Sequence, residues 1–262
     1  MKHWTKHQTK IRAKLGRKPL SLFLDFDGTL VPLRSYDQEV NLSPRVKHLL
    51  NELAAHPAVQ ISIVSGRPLQ NLCSQIDNPA IFLAGNHGFE IRGPETNFLH
   101  PAAAKAKTHF RVLARELQSH LRKYPGVSLE DKTYTLSVHY RGVSSACEEE
   151  ILAGLRKWLA QHSLGRRLTL QVGKKVLEIK PRSFWNKGAA MRKILSIGRG
   201  KSPMAVYIGD DVTDEDALQR LPSSGWGFKV TPRTAELTAA HSFLRNPAEV
   251  EKCLHWFKSL MK

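Results

Sequence analysis

Cysteine is scarce: three occur in 262 residues, at positions 73, 147 and 253, and no two form a C-x-x-C pair. That spacing excludes a disulfide framework and a cysteine-based zinc site, and it fits a reducing cytoplasm. No apolar run approaches the ~20 residues that a membrane helix needs. The basic N-terminus leads into no apolar stretch of the kind a signal peptide carries. Internal repeats and low-complexity stretches are missing too. Acidic residues are few, with 23 Asp and Glu against 40 Lys and Arg, a formal charge of +17. The first twenty residues hold seven Lys or Arg and no acid, and residues 101–180 hold fifteen against seven, so the rest is nearly balanced. Such a distribution can attract nucleic acid, an anionic membrane or an anionic small substrate. Nucleic acid fits poorly, because single-strand binding interleaves aromatics with cations and MKHWTKHQTKIRAKLGRK offers only Trp4. Disorder is the expectation for residues 1–17.

What is present is an ordinary globular composition, 41% hydrophobic and 24% charged. PLSLFLDF reads as a buried strand, VQISIVSG (59–66) as a second and AIFLAG (80–85) as a third. Between the first two, Val46, Leu49, Leu50 and Leu53 recur at helical spacing behind Ser43 as N-cap and Pro44 at N1. This alternation predicts an α/β fold, a doubly wound parallel sheet with ligands at the carboxyl ends of its strands. The rhythm then changes. A long helix through Phe110, Leu113, Ala114, Leu117 and Leu121 precedes a hairpin expected to turn at Glu130-Asp131. A second helix, about 145–162, precedes a hairpin turning at Gly173. Helix–hairpin–helix–hairpin is an α+β pattern, which gives an inserted domain over 103–181. The core is then 19–102 and 182–262, with a basic N-terminal tail at 1–18. The parallel pattern resumes at MAVYIGDD (204–211), GWGFKV (225–230) and HSFL (241–244).

Three strands end in polar residues that a purely structural sheet would not need: Asp25-Phe26-Asp27-Gly28-Thr29, Ser65-Gly66-Arg67 and Gly209-Asp210-Asp211-Val212-Thr213-Asp214. Parallel topology brings these ends to one edge, so Asp25, Asp27, Asp210, Asp211 and Asp214 are expected to crowd into a small volume. Like charges that close need a counter-ion. A set of oxygen ligands without His or Cys favours Mg²⁺. Lys187, in WNKGAA before a helix, could hold one aspartate ionised and neutralise an anion, while Ser65 and the amides of Gly66 and Gly28 offer donors. Such a set suits phosphoryl transfer through a carboxylate nucleophile, with a second carboxylate as general acid and base.

The series DFDGT, SGR, NKG and GDDVTDED resembles the haloacid dehalogenase (HAD) superfamily of phosphatases over nearly the whole chain, with a Rossmann-like core. The inserted segment is similar to that superfamily's α/β cap of the C2 type. VSGRP, LAGNHGFEIRGP, GKKVLEIKP, NKGAAM and YIGDDVTDEDAL are together most similar to the trehalose-6-phosphate phosphatases. The resemblance implies Asp25 as nucleophile, Asp27 as general acid and base, and Ser65 and Lys187 as phosphoryl-binding groups. It implies Mg²⁺ held by Asp25, the Asp27 carbonyl and Asp210, with Asp211 or Asp214 as a further ligand or a support. Arg67 would order the loop or reach the substrate. Asn86, His87, Gly88 and Glu90 would line the core side of a sugar pocket, and Glu178 and Lys180 the cap side. The bland reading of the last two is a cross-strand ion pair. The implied activity is hydrolysis of a sugar phosphate, trehalose 6-phosphate first, in the cytoplasm and without a membrane. Alternatives on the same scaffold are phosphatases of glucosyl- or mannosyl-3-phosphoglycerate or sucrose phosphate, or a phosphohexomutase. A synthase partner would be a separate chain.

Overall fold

The computed structural model describes residues 1–33, 40–173, 175–198, 202–233 and 237–261. Its strands are β1 (Lys2–His3), β2 (Leu20–Leu24), β3 (Val59–Val64), β4 (Phe82–Gly85), β5 (Glu90–Gly93), β6 (Thr96–Leu99), β7 (Ser128–Asp131), β8 (Leu136–His139), β9 (Leu168–Gly173), β10 (Val176–Pro181), β11 (Met204–Gly209), β12 (Trp226–Val230) and β13 (Ser242–Leu244). Its α-helices are α1 (Gln8–Leu15), α2 (Pro44–Ala54), α3 (Leu69–Gln75), α4 (Pro101–Leu121), α5 (Ser145–Gln161), α6 (Lys187–Ile197), α7 (Val212–Leu218) and α8 (Pro247–Leu260). Two compact units result, Met1–Phe98 with Trp185–Lys262, and Leu99–Phe184. No described helix is long and apolar enough to cross a membrane.

The first unit carries a nine-stranded sheet in the order β1-β13-β12-β11-β2-β3-β4-β5-β6. Pairings from β1 through to β4 are parallel, and β5 joins β4 antiparallel. The alternation of side chains along each strand sorts the core into two layers. Leu22, Leu24, Ile61, Ile63, Val206 and Ile208 pack with α2 and α8 on one face. Phe23, Val64, Ala205 and Tyr207 pack with Ala190, Met191 and Ile194 of α6 on the other. Parity therefore sends Asp25, one residue past Leu24, towards the face that α6 covers.

The N-terminal residues correct the expectation of disorder. β1 extends the sheet beside β13, with Lys2 opposite Ser242 and His3 opposite Phe243. Trp4, Ile11 and Leu15 are buried, and Trp4 meets Trp256 edge-on at 5.9 Å. The density of cations hid a sparse apolar stripe, in which Ile11 and Leu15 lie one helical turn apart. Lys10 and Lys14 reach over the Trp226 ring at 5.6 and 5.7 Å, a favourable use of charge against an aromatic face.

Two histidines make this attachment sensitive to pH. His241 Nδ1 accepts the Gly227 amide at 3.0 Å. His7 Nδ1 lies 2.6 Å from Ser242 Oγ, which already accepts from Trp226 Nε1 at 3.1 Å and so donates its own proton to His7. Both bonds need an unprotonated ring nitrogen. Burial first, then the nearby lysines, lowers both pKa values below the ordinary histidine range. A base whose folded pKa is depressed stabilises the fold above its unfolded pKa, and that stability is lost as pH falls from about 6.5. Both rings are partly solvated, so the melting temperature should drop by only a few degrees, roughly one to three, between about pH 7.5 and 5.5. His241→Gln, which keeps an acceptor without a titrating ring, should flatten that slope; an unchanged slope would refute the assignment.

The second unit is a four-stranded antiparallel sheet, β7-β8-β10-β9, under α4 and α5. Leu136, Val138, Leu177 and Ile179 join Phe110, Leu113, Leu117, Ile151 and Leu155 in its core. Glu178 and Lys180 therefore lie on the face turned away from the helices. The first hairpin turns over Lys132–Thr135 rather than at Glu130-Asp131, since Asp131 still pairs with Leu136. An Asx turn explains the shift: Asp131 Oδ1 accepts the Thr133 amide at 2.8 Å.

Candidate active site

The register of the central strands builds the site. Leu24 is opposite Ile208 on one side and Ile63 on the other. Asp25, Asp210 and Ser65 therefore emerge at one sheet edge from three adjacent strands. Asp25 is fixed at the backbone by its amide bond to the Ile208 carbonyl, 2.9 Å. Gly28, with φ of +79°, turns the chain immediately afterwards; a Cβ there would sit 2.4 Å from Asp210 Cγ. Only glycine allows the Asp210 carboxylate to approach so closely.

Asp25, Asp210 and Asp214 are each at most 4% exposed and offer carboxylate oxygens within 4.8 Å of one another. Lys187, the first residue of α6, is 3% exposed. Its ammonium donates to Asp25 Oδ1 and Asp214 Oδ1, each at 2.7 Å. Asn186 caps the helix by accepting the Ala189 amide, which pins Lys187 at its base. Burial first, then the Asp214 carboxylate, pushes the Asp25 carboxyl well above the usual range, and Lys187 only partly offsets this. Burial opposes the Lys187 charge, yet Asp214 and Asp25 outweigh it and hold the proton more firmly than on a free lysine. Burial also opposes ionisation of Asp214, but Lys187 and the hydrogen bonds from the Asp211 amide and Tyr207 keep its carboxyl below the usual range.

Strand-end spacing predicts five carboxylates in this volume, and three are grouped. Asp27 faces Arg67 instead, which clasps both of its oxygens, Nε to Oδ2 at 2.8 Å and Nη2 to Oδ1 at 2.7 Å. The guanidinium also lies over Phe26 at 4.4 Å. Asp211 is the N-cap of α7, and its amide donates to Asp214 Oδ2 at 2.8 Å. Asp214, not Asp211, thus joins Asp25 and Asp210 in the group. One ammonium among three carboxylates leaves the group short of positive charge, and its donors are all hard oxygens. A buried acidic triad of this kind could hold a metal ion.

Ser65 is buried and its Oγ accepts the Arg67 amide at 3.2 Å. The turn after β4 lies against it: the His87 amide bonds the Ser65 carbonyl at 2.8 Å, and the Asn86 amide bonds the Arg67 carbonyl at 2.7 Å. Asn86 and His87 both take positive φ, 50° and 57°. Glu90 Oε2 accepts from Asn86 Nδ2 at 2.6 Å. A Cβ on Gly88 would lie 2.2 Å from that of Ala190, so α6 packs directly on this turn. In the second unit, Glu178 Oε1 accepts from Lys132 Nζ at 3.2 Å and Ser137 Oγ at 2.8 Å, while Lys180 donates to Gln171. The bland alternative of an ion pair is seen at Glu178, with Lys132 of the β7–β8 turn as its cation.

Two contributors escaped the sequence reading. Tyr207, inside β11, donates to Asp214 Oδ1 at 2.8 Å; burial, then Asp214 and Asp25, keeps its phenol protonated. The signal was a phenol within a buried strand, which needs a partner. Trp185 Nε1 donates to the Gly88 carbonyl at 2.8 Å, and its isolated position gave no signal.

The trehalose-phosphatase family model matches residues 23–247. A Mycobacterium tuberculosis trehalose-phosphate phosphatase is 34% identical over 242 residues, covering 90% of this chain and 60% of that protein. This chain thus spans 60% of the length of that relative. The Zea mays trehalose 6-phosphate phosphatase RA3 is 32% identical over 259 residues, covering 90% and 69%. Among solved structures, Aspergillus fumigatus trehalose-6-phosphate phosphatase superposes with a TM-score of 0.66 at 26% identity over 97% of both chains. The C-terminal domain of the Candida albicans enzyme gives 0.80 at 21% identity, covering 97% and 96%. The order of strands, the acidic group at their ends and these matches agree: the chain belongs to the trehalose-phosphatase family.

Proposed function

We propose that this chain is a Mg²⁺-dependent phosphatase that hydrolyses trehalose 6-phosphate to trehalose and inorganic phosphate. The observation that carries the reading is the buried group in which Lys187 bridges Asp25 and Asp214 beside Asp210. Asp25 is the nucleophile: one carboxylate oxygen bonds phosphorus as the sugar oxygen leaves, forming an aspartyl phosphate. Asp27 gives its proton to that leaving oxygen, then takes one from the water that attacks phosphorus, releasing phosphate and restoring Asp25. Because both oxygens of Asp27 are held by Arg67, the carboxyl must leave this clasp to act. Lys187 and the Ser65 hydroxyl hold the phosphoryl oxygens. Mg²⁺, bound by Asp25, Asp210 and the Asp27 carbonyl, would supply the positive charge that this group lacks and that phosphoryl transfer requires. Asp214, engaged by Lys187, Tyr207 and the Asp211 amide, supports the ligand set.

The turn Asn86-His87-Gly88 with Glu90, and Glu178 with Lys180, are the proposed sugar-recognising elements. The enzyme works in the cytoplasm, consistent with three free cysteines. Phosphate release from a panel of sugar phosphates with Mg²⁺ tests the reading. Trehalose 6-phosphate should be the best substrate, and chelation should silence turnover. Preference for sucrose phosphate or a glycosyl-3-phosphoglycerate, or turnover undiminished by excess chelator, would overturn it.

A further inference from the structure

The second unit contains a cavity of about 230 Å³ lined by none of the residues assigned above. Its apolar wall is Phe110, Leu113, Leu168 and Pro181, all buried core residues, together with Ala102, Ala106 and Leu164. Lys105, His109, Arg167 and Arg182 complete the lining, and all four are exposed. No Asp or Glu lines it.

Helical spacing explains one wall: Ala102, Lys105, Ala106, His109, Phe110 and Leu113 form a single stripe of α4. The opposite wall is fixed by backbone: the Arg182 amide bonds the Arg167 carbonyl at 2.7 Å, holding the end of β10 against the start of β9. Arg182 Nε donates to the Leu168 carbonyl at 3.4 Å. Among the described residues Lys105 and Arg167 gain no such support, and none of the four lining residues forms an ion pair. Glu116, three residues beyond Leu113 on α4, pairs with His162 at 2.7 Å. Cations gathered without a counter-charge around an apolar recess repel one another, and an anion in the recess would relieve that repulsion.

We infer that this recess binds a small amphipathic anion, an aryl or short-chain acyl carboxylate, with its apolar body against Phe110, Leu113 and Leu168 and its acid group at Arg167 and Lys105. The volume admits a body of about one ring, below the ~300 Å³ at which drug-sized pockets begin. The apolar wall selects against hydrated inorganic ions and the cationic rim against neutral molecules. The proposal is independent of the catalytic reading.

The probe is 4-(trifluoromethyl)benzoate, followed by ¹⁹F NMR titration of the full chain with Mg²⁺ and inorganic phosphate in excess, to keep the probe from the catalytic centre. Saturable binding is expected at or below roughly millimolar concentration, with the neutral 4-(trifluoromethyl)benzamide failing to compete. Arg167→Glu should weaken binding about tenfold or more by reversing a rim charge, and Ala106→Trp should abolish it by filling the recess. Arg167 is exposed and outside the core, so its variant remains informative if the tryptophan is not accommodated. Absence of saturable binding, equal binding of the amide, or binding unchanged by Arg167→Glu would overturn the inference.

Discussion

Asp25→Asn should fold normally and release phosphate more slowly by a factor on the order of 10⁴ or more, as expected when a covalent nucleophile is removed. The fold should survive because the substituted side chain keeps a carbonyl oxygen to accept from Lys187, whose ammonium still has Asp214. Removing a carboxylate that burial and Asp214 already disfavour also relieves repulsion, so the melting temperature should hold or rise. Substrate binding should persist, since Ser65, Lys187 and the proposed sugar-recognising residues are untouched. The loss therefore falls on kcat rather than KM. Intact-mass analysis after acid quench should show a phosphoryl adduct on the parent enzyme and none on the variant. A variant that retains parental turnover would exclude the covalent route.

Lys187→Met should damage both stability and activity. The ammonium neutralises two carboxylates that are 4% and 0% exposed, and methionine fills a similar volume without charge. Breaking a buried ion pair by deleting one partner costs about 3–5 kcal/mol, because the remaining charge is left buried and uncompensated. Asp25, with its carboxyl pKa already raised, should protonate more readily still. An acid whose folded pKa is raised destabilises the fold above that pKa, and stability returns as pH falls below it. The variant should accordingly lie further below the parent at about pH 8 than at about pH 5. Millimolar Mg²⁺ should restore part of the deficit by supplying positive charge to the same carboxylates. Calorimetry across pH, with and without Mg²⁺, checks this. Equal melting of parent and variant at high pH would show that Lys187 does not hold the group together.

Much of the site was legible in advance for a physical reason. Carboxylates at the ends of apolar strands cannot be explained by packing, so DFDGT and GDDVTDED stood out, and parallel topology dictates that strand ends meet. Lys187 was legible because a cation at the positive end of a helix is unfavourable unless something compensates; Asp25 and Asp214 compensate. The misreadings arose where proximity was inferred from sequence spacing alone. Asp27 is two residues from Asp25, yet its carboxylate faces Arg67. Asp211 precedes Asp214, yet the start of α7 turns Asp214 into the group and leaves Asp211 its amide donor. In the N-terminal residues, charge density masked an apolar stripe too short to register as a pattern.

The sequence alone determined the class of fold and the family, because periodicity, strand-end chemistry and motif order are local properties that survive without coordinates. Tertiary structure decided which oxygens share a proton donor, that Tyr207 supports Asp214, that Trp4 is core, and that α4 and the β9–β10 end enclose a cationic recess. Each of these depends on the direction of a side chain across hundreds of ångströms of contour length folded back on itself. Linear order carries no record of direction; packing and hydrogen bonding impose it.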